Sequence, residues 1–187
     1  MEVSPLMASA LRSTFLVGSL RSASLNKAAA TYAARMLDQT TSVNIPDLGL
    51  LPLYNQDVED LRDPGPVSDL KAAVLESELV VIFSPEYNYG IPGALKNAID
   101  WLSRPFGAGC LLDRSVGIVS ISPGSRAGEN VREQLLTVCQ ALSHHAFPTT
   151  LGVGVVSELK DGELPDHAKS ALDHWFGDLM RYVATES

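Results

Sequence analysis

Apolar runs short enough to be strands alternate along this chain with stretches that repeat at helical spacing. Thr14–Ser19 reads as a buried strand, Ser42–Ile45 as a weaker one closed by Pro46, and Leu79–Ser84 and Ser115–Ser122 as strong ones. Phe147–Val156 reads as a fifth, with a glycine-rich end. Between them, Leu25–Leu37 predicts a helix with Ala28, Ala29, Tyr32, Ala33 and Met36 on one face, and Val67–Ser77 one with Leu70, Val74 and Leu75 inward. Gly93–Ser103, Glu129–Leu142 and Asp166–Ala184 complete the set, the last with Ala168, Leu172, Trp175, Leu179 and Val183 in register. Asp47–Pro66, punctuated by Pro, Gly and Asp, reads as a long ordered loop. Strands that are apolar throughout, separated by helices, indicate a parallel sheet covered on both faces. Five strands and five helices fit an α/β three-layer, doubly wound sheet of order 2-1-3-4-5, whose ligand sits beyond the carboxyl ends of strands 1 and 3.

With 187 residues the chain is expected to form one domain, residues 1–12 being a loosely ordered extension. Its hydrophobic content of 45% and charged content of 19% are ordinary for a globular protein. The net charge of −8 argues against nucleic acid or an anionic membrane as partner, so any anion must be captured locally. No apolar stretch is long enough to span a membrane, and the first dozen residues do not resemble a signal peptide. Cys110 and Cys139 show neither disulfide nor metal spacing, and Cys139 falls on an apolar helical stripe as an inert thiol. A cytoplasmic location is the expectation.

Two loops at predicted strand ends carry the chemistry. Gly18-Ser19-Leu20-Arg21-Ser22-Ala23-Ser24-Leu25-Asn26 joins the first strand to the first helix. Small hydroxyl residues and one Arg at a helix start suit a phosphate, because unpaired N–H groups and the helix dipole converge there. Ser24 is equally readable as a helix N-cap. The loop lacks the GKS/T ending of a triphosphate site and the GxGxxG of a dinucleotide site, which leaves a mononucleotide. Ser84-Pro85-Glu86-Tyr87-Asn88-Tyr89-Gly90-Ile91-Pro92-Gly93 follows the third strand and offers a carboxylate, two rings and an amide to a flat heterocycle. Ser122–Gly128, after the fourth, reads either as donors to the same ring or as a plain helix-entry turn.

These residues carry a resemblance. GSLRxxSxN, LPLYNQD and SPEYNYGIPGALKNAIDWLSRP together resemble the NAD(P)H-dependent FMN reductase family, in its quinone, chromate and azo-dye reductase branch. The resemblance runs from Thr14 to the last helix. It implies a flavodoxin-like fold, non-covalent FMN, NAD(P)H as co-substrate, and a homodimer or homotetramer. By the same resemblance Ser19, Arg21, Ser24 and Asn26 hold the FMN phosphate with Ser22 close by. Pro85, Glu86, Tyr87 and Asn88 meet the ribityl chain and ring, Ser122 and Gly124 lie near the ring, and Leu53–Asp57 lies near the site and a subunit interface. The third loop departs from the family's glycine-rich form at Pro123, Ser125 and Arg126.

The implied chemistry passes hydride from NAD(P)H through flavin N5 to a quinone-like, azo or other small acceptor. No acid, base, nucleophile or metal ion of the protein's own is then expected, since the reactivity belongs to the cofactor. His144 and His145, before the last strand, read as structural or surface residues. Two other readings fit the same loops: a reductase that supplies free reduced flavin to a monooxygenase, and a flavodoxin-like electron carrier. Arg126 and Arg132 are candidates for a 2′-phosphate of NADPH or for plain surface charge. Ala98, Ile99, Trp101 and Leu102 read as core, interface or both.

Overall fold

The computed structural model describes residues 11–37 and 40–186. The chain runs β1 (Leu11–Val17), α1 (Leu25–Leu37), β2 (Thr41–Asn44), a short 3-10 turn (Leu48–Leu50), α2 (Gln56–Glu59), α3 (Gly65–Leu75) and β3 (Leu79–Phe83). It continues through α4 (Gly93–Leu102), β4 (Ser115–Ile121), α5 (Glu129–Leu142), β5 (His145–Ala146), β6 (Leu151–Val153) and α6 (Asp166–Glu186). All pairings are parallel, in the order β2-β1-β3-β4-β5, and β6 also pairs with β4. This is a doubly wound sheet of flavodoxin type, with β1 and β3 side at the centre.

Every residue of β3 and β4 is buried, which is why β3 reads as an unbroken apolar run and β4 as a mainly apolar one broken by Ser120 rather than as alternating strands. Phe15, Phe83 and Phe176 cluster on the face covered by α1 and α6, with ring centroids 5.2–6.4 Å apart. Leu16, Val80, Ile82, Val116 and Ile118 pack on the opposite face against α3, α4 and α5. Gly117 admits Trp175: a Cβ there would stand 2.7 Å from the indole.

The fifth strand is broken in two. β5 pairs with the start of β4 (Ser115↔His145) and β6 with its end (Val119↔Leu151). Between them Pro148 has no N–H to give to a ladder, and the Thr149 carbonyl accepts instead from Trp175 Nε1 at 2.8 Å. The expected continuous strand over Phe147–Val156 is thus corrected to two short pieces, and the sheet has six strands in five positions.

Four further expectations change. β1 begins at Leu11, so Leu11 and Arg12 belong to the sheet; residues 1–10 of the expected extension lie outside the described residues. The buried face of α1 is Asn26, Ala29, Ala30, Ala33 and Leu37, so Met36 faces out. Leu75 is exposed, because α3 starts at Gly65 with Pro66 in its first turn and buries Val67, Leu70 and Val74. Ala98, Ile99, Trp101 and Leu102 are all buried within the single chain. Trp101 Nε1 and Asn97 Nδ2 both donate to the Pro52 carbonyl at 2.9 Å and moor the long loop to α4. No helix among the described residues is long and apolar enough to cross a membrane.

Candidate functional site

At the carboxyl edge of the sheet the loops after β1, β3, β4 and β6 enclose a cleft of about 390 Å³. Its first wall is the β1–α1 loop. Gly18 N–H still donates to Phe83 O as an extension of the sheet (2.8 Å), after which the chain leaves the ladder. From Ser19 to Ser24 no backbone N–H donates to another described residue. Successive N–H groups left free in a loop at a helix start form a concavity suited to an anion, and this run borders the cavity. Arg21 lines the cleft with no ion pair or hydrogen bond among the described residues.

Two predicted phosphate ligands prove to be occupied in the fold. The Ser24 hydroxyl accepts from Lys27 N–H at 3.2 Å, the N-cap role, with its own O–H left to donate. Asn26, 2% exposed, holds Ile121 at the end of β4: its Nδ2 donates to the Ile121 carbonyl and its Oδ1 accepts from the Ile121 N–H, both at 3.0 Å. The amide thus imitates a neighbouring strand and ties α1 to β4. Asn26 lines the cleft with its polar atoms turned to the backbone. The second Nδ2 hydrogen has no partner among the described residues.

The β3–α4 loop forms the second wall. Tyr87–Gly90 closes a tight antiparallel turn, Tyr87 N–H to Gly90 O at 3.2 Å and Gly90 N–H to Tyr87 O at 3.0 Å. Its central residues Asn88 and Tyr89 both have positive φ, 51° and 63°, as a type I′ turn demands. The turn leaves Tyr87 45% exposed on the rim, with its hydroxyl 3.3 Å from Ser19 Oγ, so that first and second walls touch. Tyr89 lies against the third loop: Gln134 Nε2 donates to its carbonyl at 2.8 Å and the Arg126 guanidinium sits 5.2 Å from its ring centre.

Glu86 also differs from expectation. One carboxylate oxygen accepts from Asn130 Nδ2 and the other from Val131 N–H, each at 3.1 Å. The N-cap position of α5 is Gly128, in the left-handed region at φ 67° with no side chain to give. Glu86 therefore caps α5 from a loop 45 residues away and meets the positive end of its dipole. It lines the cleft as part of the wall, with its charge committed to α5.

Of the predicted residues, Ser19, Arg21, Ser24, Asn26, Pro85, Glu86, Tyr87 and Ser122 line the cleft. Ser22 faces a neighbouring basin, Asn88 stands exposed in the turn, and Gly124 lies outside the lining, its carbonyl accepting from Ser122 Oγ at 3.2 Å. Leu53–Asp57 do not line the cleft either. Sequence reasoning missed Ser157, Glu158 and Leu159, from the loop after β6, which close the far side. The carboxyl-end rule applied to the fifth strand would have found them. His144 and His145 sit at the start of that strand, away from this edge, paired with Asp113 (3.3 Å) and Glu186 (2.6 Å). Burial pushes the Cys139 thiol up to about 12, and among the described residues no His/Cys/Asp/Glu group could hold a metal ion.

A run of free N–H donors with an unpartnered Arg at one end, and a tyrosine and Pro-bearing wall at the other, fits a phosphate-bearing planar ligand. FMN has that shape and chemistry. Fold and cleft together define an α/β protein of the flavodoxin-like class. Residues 11–157 match the family model described as NADPH-dependent FMN reductase, and the chain belongs to that family. It is 34% identical to a quinone reductase of Escherichia coli K12 over 187 residues, covering 94% of this chain and 95% of that protein. A Pseudomonas putida quinone reductase is 37% identical over 113 residues, an overlap of 60% of this chain and 61% of the relative's length. Among solved structures, FerB, a flavoenzyme NAD(P)H:(acceptor) oxidoreductase from Paracoccus denitrificans, superposes with a TM-score of 0.82. That likeness covers 94% of this chain and 98% of FerB at 23% identity, and bears on the fold alone.

Proposed function

We propose that the protein is an FMN-containing NAD(P)H-dependent oxidoreductase that reduces a quinone-like acceptor by two electrons: NAD(P)H, a proton and the quinone give NAD(P)⁺ and the hydroquinone. The observation that carries this is the unpaired N–H run from Ser19 to Ser24 beside Arg21, facing a wall that holds Tyr87. FMN held in this cleft would supply the two-electron redox chemistry that links NAD(P)H to the acceptor. The chain's own residues position and shield it. Arg21, the Ser19 and Ser24 hydroxyls and the loop N–H groups, Ser22's included, hold the phosphate. Pro85 and Tyr87 flank the ribityl chain and ring, Glu158 accepts from ribityl hydroxyls, and Ser122 and Gly124 border the ring's outer edge. Asn26 and Glu86 fix the walls, Asn26 by holding β4 and Glu86 by holding α5.

Quinone reduction is favoured over supply of free reduced flavin because Arg21 beside the free N–H run suits a retained phosphate. It is favoured over a pure electron carrier by the names of the curated relatives. A homodimer or homotetramer in the cytoplasm completes the proposal. The test is direct: purified protein should be yellow, bleach under anaerobic NADPH and recover its colour on adding benzoquinone, with steady NADPH oxidation and no added FMN. Protein that oxidises neither NADPH nor NADH, even with FMN supplied, would refute it.

A further inference from the structure

Beside the main cleft, and sharing Ser24 and Leu159 with its rim, lies a second basin of about 230 Å³ between α1 and the turn that precedes α6. Lys27, Thr31 and Arg35 follow at four-residue intervals along one face of α1, and Lys169 of α6 reaches in from the opposite bank. Lys27 has no hydrogen bond or ion pair from its side chain among the described residues, and Arg35 makes no direct ion pair. The single carboxylate of the lining, Glu163, is engaged by Lys169, which with Arg35 at longer range holds it below the usual carboxylate range. Three cations thus stand against one anion in a chain of net charge −8. Tyr32 supplies a flat wall. Burial, reinforced by its 2.8 Å hydrogen bond to Asp173, pushes its hydroxyl up to about 12, so the ring stays neutral.

Of the arginines that the sequence offered for a 2′-phosphate, only Arg132 is committed by hydrogen bonds. Arg126 lies over Tyr89, and Arg132 donates to Ala127 O (3.1 Å) and Thr150 Oγ1 (2.9 Å). Lys27 and Arg35 flank a cavity whose lining shares Ser24 and Leu159 with the cleft in which hydride transfer is proposed. We propose that this basin receives the phosphorylated adenosine half of NADPH, its 2′-phosphate held between Lys27 and Arg35 with Ser22 donating from the rim. The inference rests on the reading of NAD(P)H as electron donor, and it assigns these residues the choice between the two nicotinamide nucleotides.

The FMN-loaded protein and its K27Q/R35Q variant are titrated calorimetrically with 2′,5′-ADP, 5′-AMP and inorganic phosphate, and KM is measured for NADPH and NADH with benzoquinone. The native protein should bind 2′,5′-ADP about tenfold or more tightly than either of the other probes, the worth of charge-assisted hydrogen bonds to a dianion. The variant should lose that preference and show a matching rise in KM for NADPH, with FMN content, kcat and KM for NADH unchanged. Equal binding of 2′,5′-ADP and 5′-AMP by the native protein, or a preference that survives the double substitution, would overturn the proposal. Inorganic phosphate bound as tightly as 2′,5′-ADP would make the occupant a free anion and equally overturn it. A protein that oxidises no NADPH yet keeps the 2′,5′-ADP preference refutes the donor reading while upholding the basin as a 2′-phosphonucleoside site.

Discussion

Asn26 and Ile121 are bound to each other twice, amide to backbone, across 95 residues of sequence. Removing the amide by Asn26→Ala orphans a buried N–H and a buried carbonyl, each costing about 1–3 kcal/mol. The expected loss is about 2–4 kcal/mol by urea denaturation, together with weaker FMN retention as the β1–α1 loop separates from β4. Asn26→Asp keeps the acceptor and loses the donor, and should fall at least as far because it leaves a charge in a buried site.

Glu86→Ala should uncap α5 at a cost of about 1 kcal/mol, a fall in Tm of roughly 2–4 °C for a domain of this size. Glu86→Gln keeps an acceptor for one of the two donors and should recover about half. If the carboxylate's main contact were instead with the flavin, Glu86→Gln would alter the visible absorption bands and leave Tm alone. Thermal melts and spectra of the two variants distinguish these outcomes.

Arg21 stabilises nothing in the fold that would be missed. Arg21→Ala should leave Tm within about 1 °C without ligand and weaken FMN binding about tenfold to a hundredfold, the range for a charge-assisted hydrogen bond to phosphate. Fluorescence titration of the apoprotein measures it. The affinity gap between wild type and variant should narrow as salt is raised, since the lost contact is ionic.

Both cysteines should resist a thiol reagent at pH 8 in the native protein and react fully in urea. Burial raises the Cys139 thiol to about 12 and also raises Cys110, so each keeps its proton at pH values where an unfolded thiol has begun to lose its own. The native state then binds more protons than the unfolded one. The stabilising contribution is intact below about pH 8.5 and is lost as the pH climbs toward the native value. Cys139→Ala should flatten that alkaline decline in a pH series of urea midpoints.

The sheet order and the location of the cleft were legible because a parallel core leaves a plain record: β3 and β4 are buried on both faces and are mainly apolar. Phase on α1 was not legible, since its buried face is built largely from Ala29, Ala30 and Ala33, and alanines on every side give a helix no contrast. The break after β5 was signalled only by Pro148. The true duties of Asn26 and Glu86 could not be read locally, because each partner lies far off in the chain. Their positions at the cleft were foreseen and their targets were not. Ser157 to Leu159 directly follow the predicted fifth strand, and were missed because the carboxyl-end rule was applied only to the first, third and fourth strands.

The divided fifth strand has a consequence for the protein's behaviour in company. A sheet margin presents unpaired backbone groups on which a strand of another chain can grow. Here that margin is offered as a two-residue piece and a three-residue piece, with a proline and a tryptophan-bound carbonyl between them. Neither fragment is long enough to seed a ladder, so this margin gives a neighbouring copy little on which to extend the sheet.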